Sequence, residues 1–93
     1  MIKLEVMYIV RPELDDLEML EKVADIIEQS GCTVAKKEVW GKKRLAYEID
    51  GCNTGRYCWI KFDADDAVAT AERVKNALEE SREVLSHMII KQG

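Results

Sequence analysis

Lys42, Lys43 and Arg44 are three consecutive cations in a chain that is acidic overall. Residues 36–44 hold five basic side chains, Lys36, Lys37, Lys42, Lys43 and Arg44, against one acid, Glu38. This window carries +4 within a net charge of −4, so the remainder of the chain carries −8. Neighbouring like charges repel, and a folded domain gains nothing structural from them. A polyanion would use them, because each Lys or Arg that meets a phosphate releases a condensed counterion. The competing use is a lysine-rich strand edge that discourages aggregation. Charge alone does not separate the two.

The other groups with chemical potential are few. His87 is the single histidine, and no serine or cysteine nucleophile stands at a recognisable spacing from it. Ser86 is adjacent, so on a strand it points the opposite way. Without a second histidine there is no metal-ligating pair, and there is no Gly-rich phosphate loop. Cys32, Cys52 and Cys58 are odd in number and contain no C-x-x-C pair. That argues against a disulfide framework or a zinc site, and leaves Cys58 as a core residue with Cys32 and Cys52 incidental. The expectation is a protein without catalysis, metal or cofactor.

Ninety-three residues, 47% of them hydrophobic, make one domain over 1–93 with a two-layer core. One Pro and five Gly exclude a collagen-like chain and argue against disorder. No apolar run approaches the roughly 20 residues that span a bilayer. Met1-Ile2-Lys3-Leu4-Glu5 has an early acid and no continuous apolar core, unlike a signal peptide. These features fit the cytosol.

The elements that must position the cations follow from periodicity. Residues 3–10 read as a strand with apolar residues on both faces, hence central and covered on both sides, ended by Pro12. A helix over about 15–30 starts at Asp15 or Asp16, turns Leu17, Leu20, Ala24 and Ile27 inward, and stops at Gly31. Residues 33–49 form a long polar strand bent at Gly41. Asp50-Gly51-Cys52-Asn53-Thr54-Gly55 is a turn, and 56–63 is the returning strand. A second helix over about 65–80 begins at Asp65 or Asp66. Its inner side is traced by Val68, Ala71, Val74 or Lys75, and Leu78. The last strand is 84–91.

The order is βαββαβ, an α+β, ferredoxin-like two-layer sandwich. Right-handed crossovers place both helices on one face of a four-stranded antiparallel sheet of order 4-1-3-2. The 33–49 strand is then an edge. Cys58, Ile60 and Phe62 face the helices, whereas Tyr57, Trp59 and Lys61 face outward. Two adjacent aromatics on an uncovered sheet commonly mark a binding surface, with Trp40 close by; the plainer alternative is that Trp59 lies across the sheet beside a lysine stem. The RNA-recognition motif has the same element order and stacks bases on third-strand aromatics. Tyr57-Cys58-Trp59-Ile60-Lys61-Phe62 meets that pattern in part, but Gly55-Arg56 reverses its opening and Arg11-Pro12 does not fit its first-strand partner. A ferredoxin-like small-molecule regulatory domain is a further alternative.

Gly41-Lys42-Lys43-Arg44-Leu45-Ala46-Tyr47-Glu48-Ile49 resembles the signature of the bacterial small-subunit ribosomal protein S-six family: Gly, a basic run, Leu-Ala-Tyr, one variable residue and Ile. Glu5-Val6-Met7-Tyr8-Ile9-Val10-Arg11-Pro12 is similar to that family's first strand and proline turn. Gly55 through Phe62 resembles its third strand, and Glu83 through Lys91 its last. The resemblance implies a structural protein of the small ribosomal subunit. It further implies binding to the central domain of small-subunit ribosomal RNA together with ribosomal protein S-eighteen, as a heterodimer. On that reading Lys36, Lys37, Lys42, Lys43 and Arg44 meet RNA. Tyr57, Trp59 and Trp40 meet the partner protein.

Overall fold

The structure, a computed structural model, describes residues 1–91. Its elements follow the order β1 (Ile2–Val10), α1 (Asp16–Gln29), β2 (Thr33–Ile49), β3 (Cys52–Ala64), α2 (Ala67–Glu80) and β4 (Val84–Lys91). The antiparallel sheet runs β2-β3-β1-β4, the expected order read from the other edge. α1 packs on β2 and β3, and α2 on β1 and β4.

Strand alternation creates the core. Leu4, Val6, Tyr8 and Val10 of β1 are buried, as are Cys58, Ile60, Phe62 and Ala64 of β3. The two sets face each other in register, with Val6 opposite Ile60 and Tyr8 opposite Cys58. Met19, Leu20, Val23, Ala24 and Ile27 of α1 cover them, with Val74 and Leu78 of α2. Each such side chain, fully buried, contributes roughly 1.5–3 kcal/mol. Tyr8 donates its hydroxyl proton to the Met19 carbonyl at 3.1 Å, which satisfies a phenol that would otherwise be costly to bury. Burial holds the Tyr8 phenol far above its ordinary pKa and pushes the Cys58 thiol up to about 11. Neither group ionises near neutral pH.

The helix ends follow local chemistry. The Asp15 carboxylate accepts from the Leu17 and Glu18 amides, and Asp66 accepts from Ala69. After the Ser30 cap, the Gly31 amide bonds the Glu28 carbonyl and the Cys32 amide bonds that of Ile27. This is a Schellman ending, and it requires the positive φ of 86° at Gly31.

Four expectations need correction. Leu17 is 64% exposed, because it lies to the side of the stripe formed by Met19, Leu20, Val23, Ala24 and Ile27. Met19 and Val23 take the inward positions instead. Val68 of α2 is likewise 77% exposed, and the inward residues are Thr70, Val74 and Leu78. Cys32 is not incidental: it is buried, with its thiol 3.7 Å from the Thr70 hydroxyl. The turn after β2 is two residues long, not six. Asp50 and Gly51 both have positive φ, 49° and 78°, and Ile49 pairs with Cys52. That is the geometry of a type I′ hairpin, for which Asp-Gly is well suited.

Because β1 ends opposite Arg56, residues 52–55 of β3 pair with β2 alone. The hairpin tip therefore projects as a two-stranded ribbon. Arg11 ties it down. Its guanidinium donates to the Arg82 carbonyl at 2.9 Å, the Asp50 carboxylate at 3.2 Å and the Cys52 sulfur at 3.6 Å. Arg56 similarly donates to the Pro12 carbonyl at 2.9 Å and to Asp16 at 3.4 Å.

Gly55 is buried at the root of this ribbon, and a β-carbon there would collide with the Ile9 side chain and lie 3.2 Å from the Val10 carbonyl oxygen. Leu45 packs over the same spot and is itself buried, outside the helix-covered core. Gly55→Ala should therefore destabilise the fold by about 1–3 kcal/mol through overpacking. Urea unfolding checks this, and an unchanged midpoint would show that Ile9 yields freely.

Candidate nucleic-acid and partner interface

The expected site residues all lie on the β2–β3 hairpin, but they fall into distinct environments. A bulge in β2 is the cause. Val39 pairs with Cys58 and Gly41 with Tyr57, so Trp40 is the extra residue between them. Gly41 accommodates the irregularity with a φ of 88°. Alternation from Val39, which faces the helices opposite Cys58, puts Trp40 on the uncovered face, where its ring stacks on Trp59 with centroids 6.3 Å apart and planes 17° apart. Offset stacking of this kind suits the ring quadrupoles.

Both indoles are anchored by their N–H groups. Trp59 donates to Glu5 at 2.8 Å across β1, and Trp40 donates to Glu38 at 3.0 Å along β2. The Trp40 bond, followed by Lys36, holds the Glu38 carboxyl below its usual range. Lys43 places its ammonium 5.8 Å from the Tyr57 ring centroid and 6.0 Å from that of Trp40. A cation at these distances is attracted to the ring faces. Trp59 and Tyr57 are consequently half-buried rather than fully exposed, whereas Trp40 is 42% exposed.

The five cations divide in two. Lys36 is held by Glu38 at 3.2 Å, and Lys37 by Glu21 of α1 at 2.6 Å. Lys42, Lys43 and Arg44 are exposed and have no carboxylate partner among the described residues. They occupy the register opposite Arg56, Gly55 and Thr54, at the root of the projecting ribbon. By the alternation of the strand, Lys43 shares the uncovered face with the aromatics, while Lys42 and Arg44 point the other way.

Sequence reasoning missed the breadth of the uncovered face. Met7 and Ile9 of β1 and Met88 of β4 lie beside Trp59 and Tyr57, through the pairs Met7 with Trp59, Ile9 with Tyr57, and Met7 with Met88. Ile90, two residues along, is also exposed. The two-faced apolar character of residues 3–10 was the available signal. The cover expected on both sides is present on one, since both helices pack on the face of Val6 and Tyr8 and leave Met7 and Ile9 half-buried.

The arrangement holds no nucleophile–base pair, and no group of His, Cys, Asp or Glu among the described residues is placed to hold a metal ion. No helix among them is long and apolar enough to cross a membrane. The geometry is that of an apolar, aromatic-centred platform bordered by cations that have no carboxylate partner among the described residues.

Comparison with known proteins agrees with this architecture. The family model described as Ribosomal protein S6 matches residues 3–91. Small ribosomal subunit protein bS6 of Desulforamulus reducens is 38% identical over 92 residues, covering 96% of this chain and 95% of that protein. The protein of the same name from Carboxydothermus hydrogenoformans is 38% identical over 91 residues, covering 95% and 93%. Among solved structures, 30S ribosomal protein S6 from Thermotoga maritima superposes with a TM-score of 0.86 at 26% identity, covering 98% of this chain and 87% of that one. The chain thus belongs to the bacterial ribosomal protein S6 family, whose members are structural components of the ribosome and not enzymes.

Proposed function

We propose that this chain binds the central domain of small-subunit ribosomal RNA as a heterodimer with ribosomal protein S-eighteen, and that it does so with two adjoining surfaces that meet at Lys43. The observation that carries the reading is the stacked Trp40–Trp59 pair on an uncovered apolar sheet face, set beside Lys42, Lys43 and Arg44, which no acid among the described residues neutralises. The aromatic platform docks the partner protein. Lys42, Lys43 and Arg44 meet RNA phosphates. Lys36 and Lys37 contribute less, because each would first have to leave its carboxylate.

Charge supports the division of labour. A chain of net charge −4 is repelled at long range by RNA. A basic partner would supply the missing field, and the acidic remainder of this chain would attract that partner. The aromatic geometry favours protein docking over base stacking. Trp59 already stacks on Trp40, and the Tyr57 ring is already engaged by Lys43. A base-stacking platform leaves its rings open for nucleotides.

Three outcomes are expected. Replacing Lys42, Lys43 and Arg44 together by Ala should lower the salt dependence of RNA assembly by about two to three units of slope, if each cation meets one phosphate. An unchanged slope would make the run a device for solubility. Trp59→Ala should weaken heterodimer formation by about 2 kcal/mol or more in calorimetry. If the isolated chain instead binds short single-stranded RNA with quenched tryptophan fluorescence, the recognition-motif reading replaces this one.

The platform should also respond to acid. The folded-state pKa of Glu38 lies below its ordinary 4.5, so its bond to Trp40 contributes fully above that pH and is lost as pH falls through the lowered value. Tryptophan emission should therefore change with a midpoint below pH 4.5. Glu38→Gln should remove that titration, and a transition surviving in this variant would assign it to another carboxylate.

A further inference from the structure

The chain has two Trp, three Tyr and one Phe, and the fold occupies every one of these rings except Tyr47. Tyr8 and Phe62 are buried in the core. Trp40 and Trp59 stack on each other, and the Tyr57 ring is engaged by Lys43. Tyr47 is 75% exposed, and its side chain makes no hydrogen bond or ring contact with a described residue.

The backbone pushes this ring outward. Arg44 pairs with Thr54 and Ile49 with Cys52, so residues 45–48 stand opposite Asn53 alone. The surplus on β2 has to leave the ladder, as in any bulge. Leu45 turns inward and packs over Gly55. Ala46, Tyr47 and Glu48 are all exposed. Both ends of the looped-out segment are fixed. Leu45 anchors one, and the other runs into the Asp50-Gly51 turn, where Arg11 holds the Asp50 carboxylate at 3.2 Å. A ring presented from an anchored backbone has less freedom to lose on binding.

The setting identifies the ligand. Lys42, Lys43 and Arg44 immediately precede the segment, exposed and without carboxylate partners among the described residues. Arg44 is three residues from Tyr47, at most about 11 Å along the chain, so one short stretch of nucleic acid can meet both. Glu48 on the other side of the ring repels phosphate and keeps it on the side of the cations.

We propose that Tyr47 stacks on an unpaired base of the ribosomal RNA while the preceding cations hold phosphates of the same strand. This rests on the RNA-binding function proposed for the hairpin and adds selectivity to it. Phosphate contacts position a protein without choosing a nucleotide, whereas an open ring takes a base that is free of its own stack. The base therefore belongs to a junction, bulge or loop and not to a paired helix. A protein partner fits the ring less well. The exposed residues flanking it are Ala46 and Glu48, and they do not supply the water-excluding surround of a protein hot spot.

The test is filter binding of the heterodimer with ribosomal protein S-eighteen to a central-domain fragment of small-subunit ribosomal RNA. Tyr47→Ala and Tyr47→Phe, at an exposed position, are expected to fold as the parent does. Tyr47→Ala should weaken RNA binding about tenfold, and Tyr47→Phe, which keeps the ring, should bind as the parent does. Neither should alter the salt slope, because no phosphate contact is lost. Calorimetry should show heterodimer formation unchanged in Tyr47→Ala. The stacking is overturned, with RNA binding itself intact, if Tyr47→Ala binds RNA as tightly as the parent, if Tyr47→Phe loses as much as Tyr47→Ala, or if the salt slope falls. It is also overturned if Tyr47→Ala weakens the heterodimer, since the ring is then a protein contact. If the unaltered pair does not retain the RNA, the RNA-binding function falls and the stacking falls with it.

Discussion

The pairing of β1 with β3 is the constraint on which the rest depends. Their buried residues meet in one register, Leu4 with Phe62, Val6 with Ile60 and Tyr8 with Cys58. Strand side chains alternate with a period of two, so a one-residue slip would turn this set away from the helices. Once the register is fixed, the opposite set, Met7, Ile9, Tyr57 and Trp59, must lie on the uncovered face. The core and the platform are two sides of one hydrogen-bonded ladder. The apolar face is a consequence of where the helices cannot reach, and its aromatic composition is why it is proposed as the partner surface.

The second determinant is the bulge at Trp40. A regular strand would alternate Trp40 with Val39 and leave the indole to be placed by pleat alone. That alternation already puts Trp40 on the uncovered face; what the extra residue changes, supported by the positive φ of Gly41, is the phase of the strand beyond it, so that Gly41 and Lys43 share that face. The same irregularity comes just before the cations that follow. Gly55, across the hairpin, lets Ile9 and Leu45 close over the root of the ribbon. Glycines on both strands thus shape the junction where platform and basic run meet.

Much of this was legible because the signals were local and periodic. The alternation of β1 and β3, the Asp caps, Gly31 and the bend at Gly41 each have a mechanism that acts within a few residues. The misreadings have the opposite character. Leu17 and Val68 lie beside the buried stripes Met19, Leu20, Val23, Ala24, Ile27 and Thr70, Val74, Leu78 rather than on them, although Met19 and Ala67 of the same first turns do pack on the core. The six-residue turn was read from polar composition, although Cys52-Asn53-Thr54 continues the ladder. The neutralisation of Lys37 by Glu21 joins residues sixteen positions apart on different elements. The burial of Cys32 depends on Thr70 of α2 in the same way. Pattern within a segment carries no record of such meetings.

An acidic chain with a locally basic hairpin and an aromatic platform is suited to shared recognition of RNA. The direct test is a filter-binding titration of a central-domain fragment of small-subunit ribosomal RNA, with and without ribosomal protein S-eighteen. The account predicts negligible retention by this chain alone and cooperative, salt-sensitive binding when both proteins are present. Equal affinity with and without the partner would contradict it.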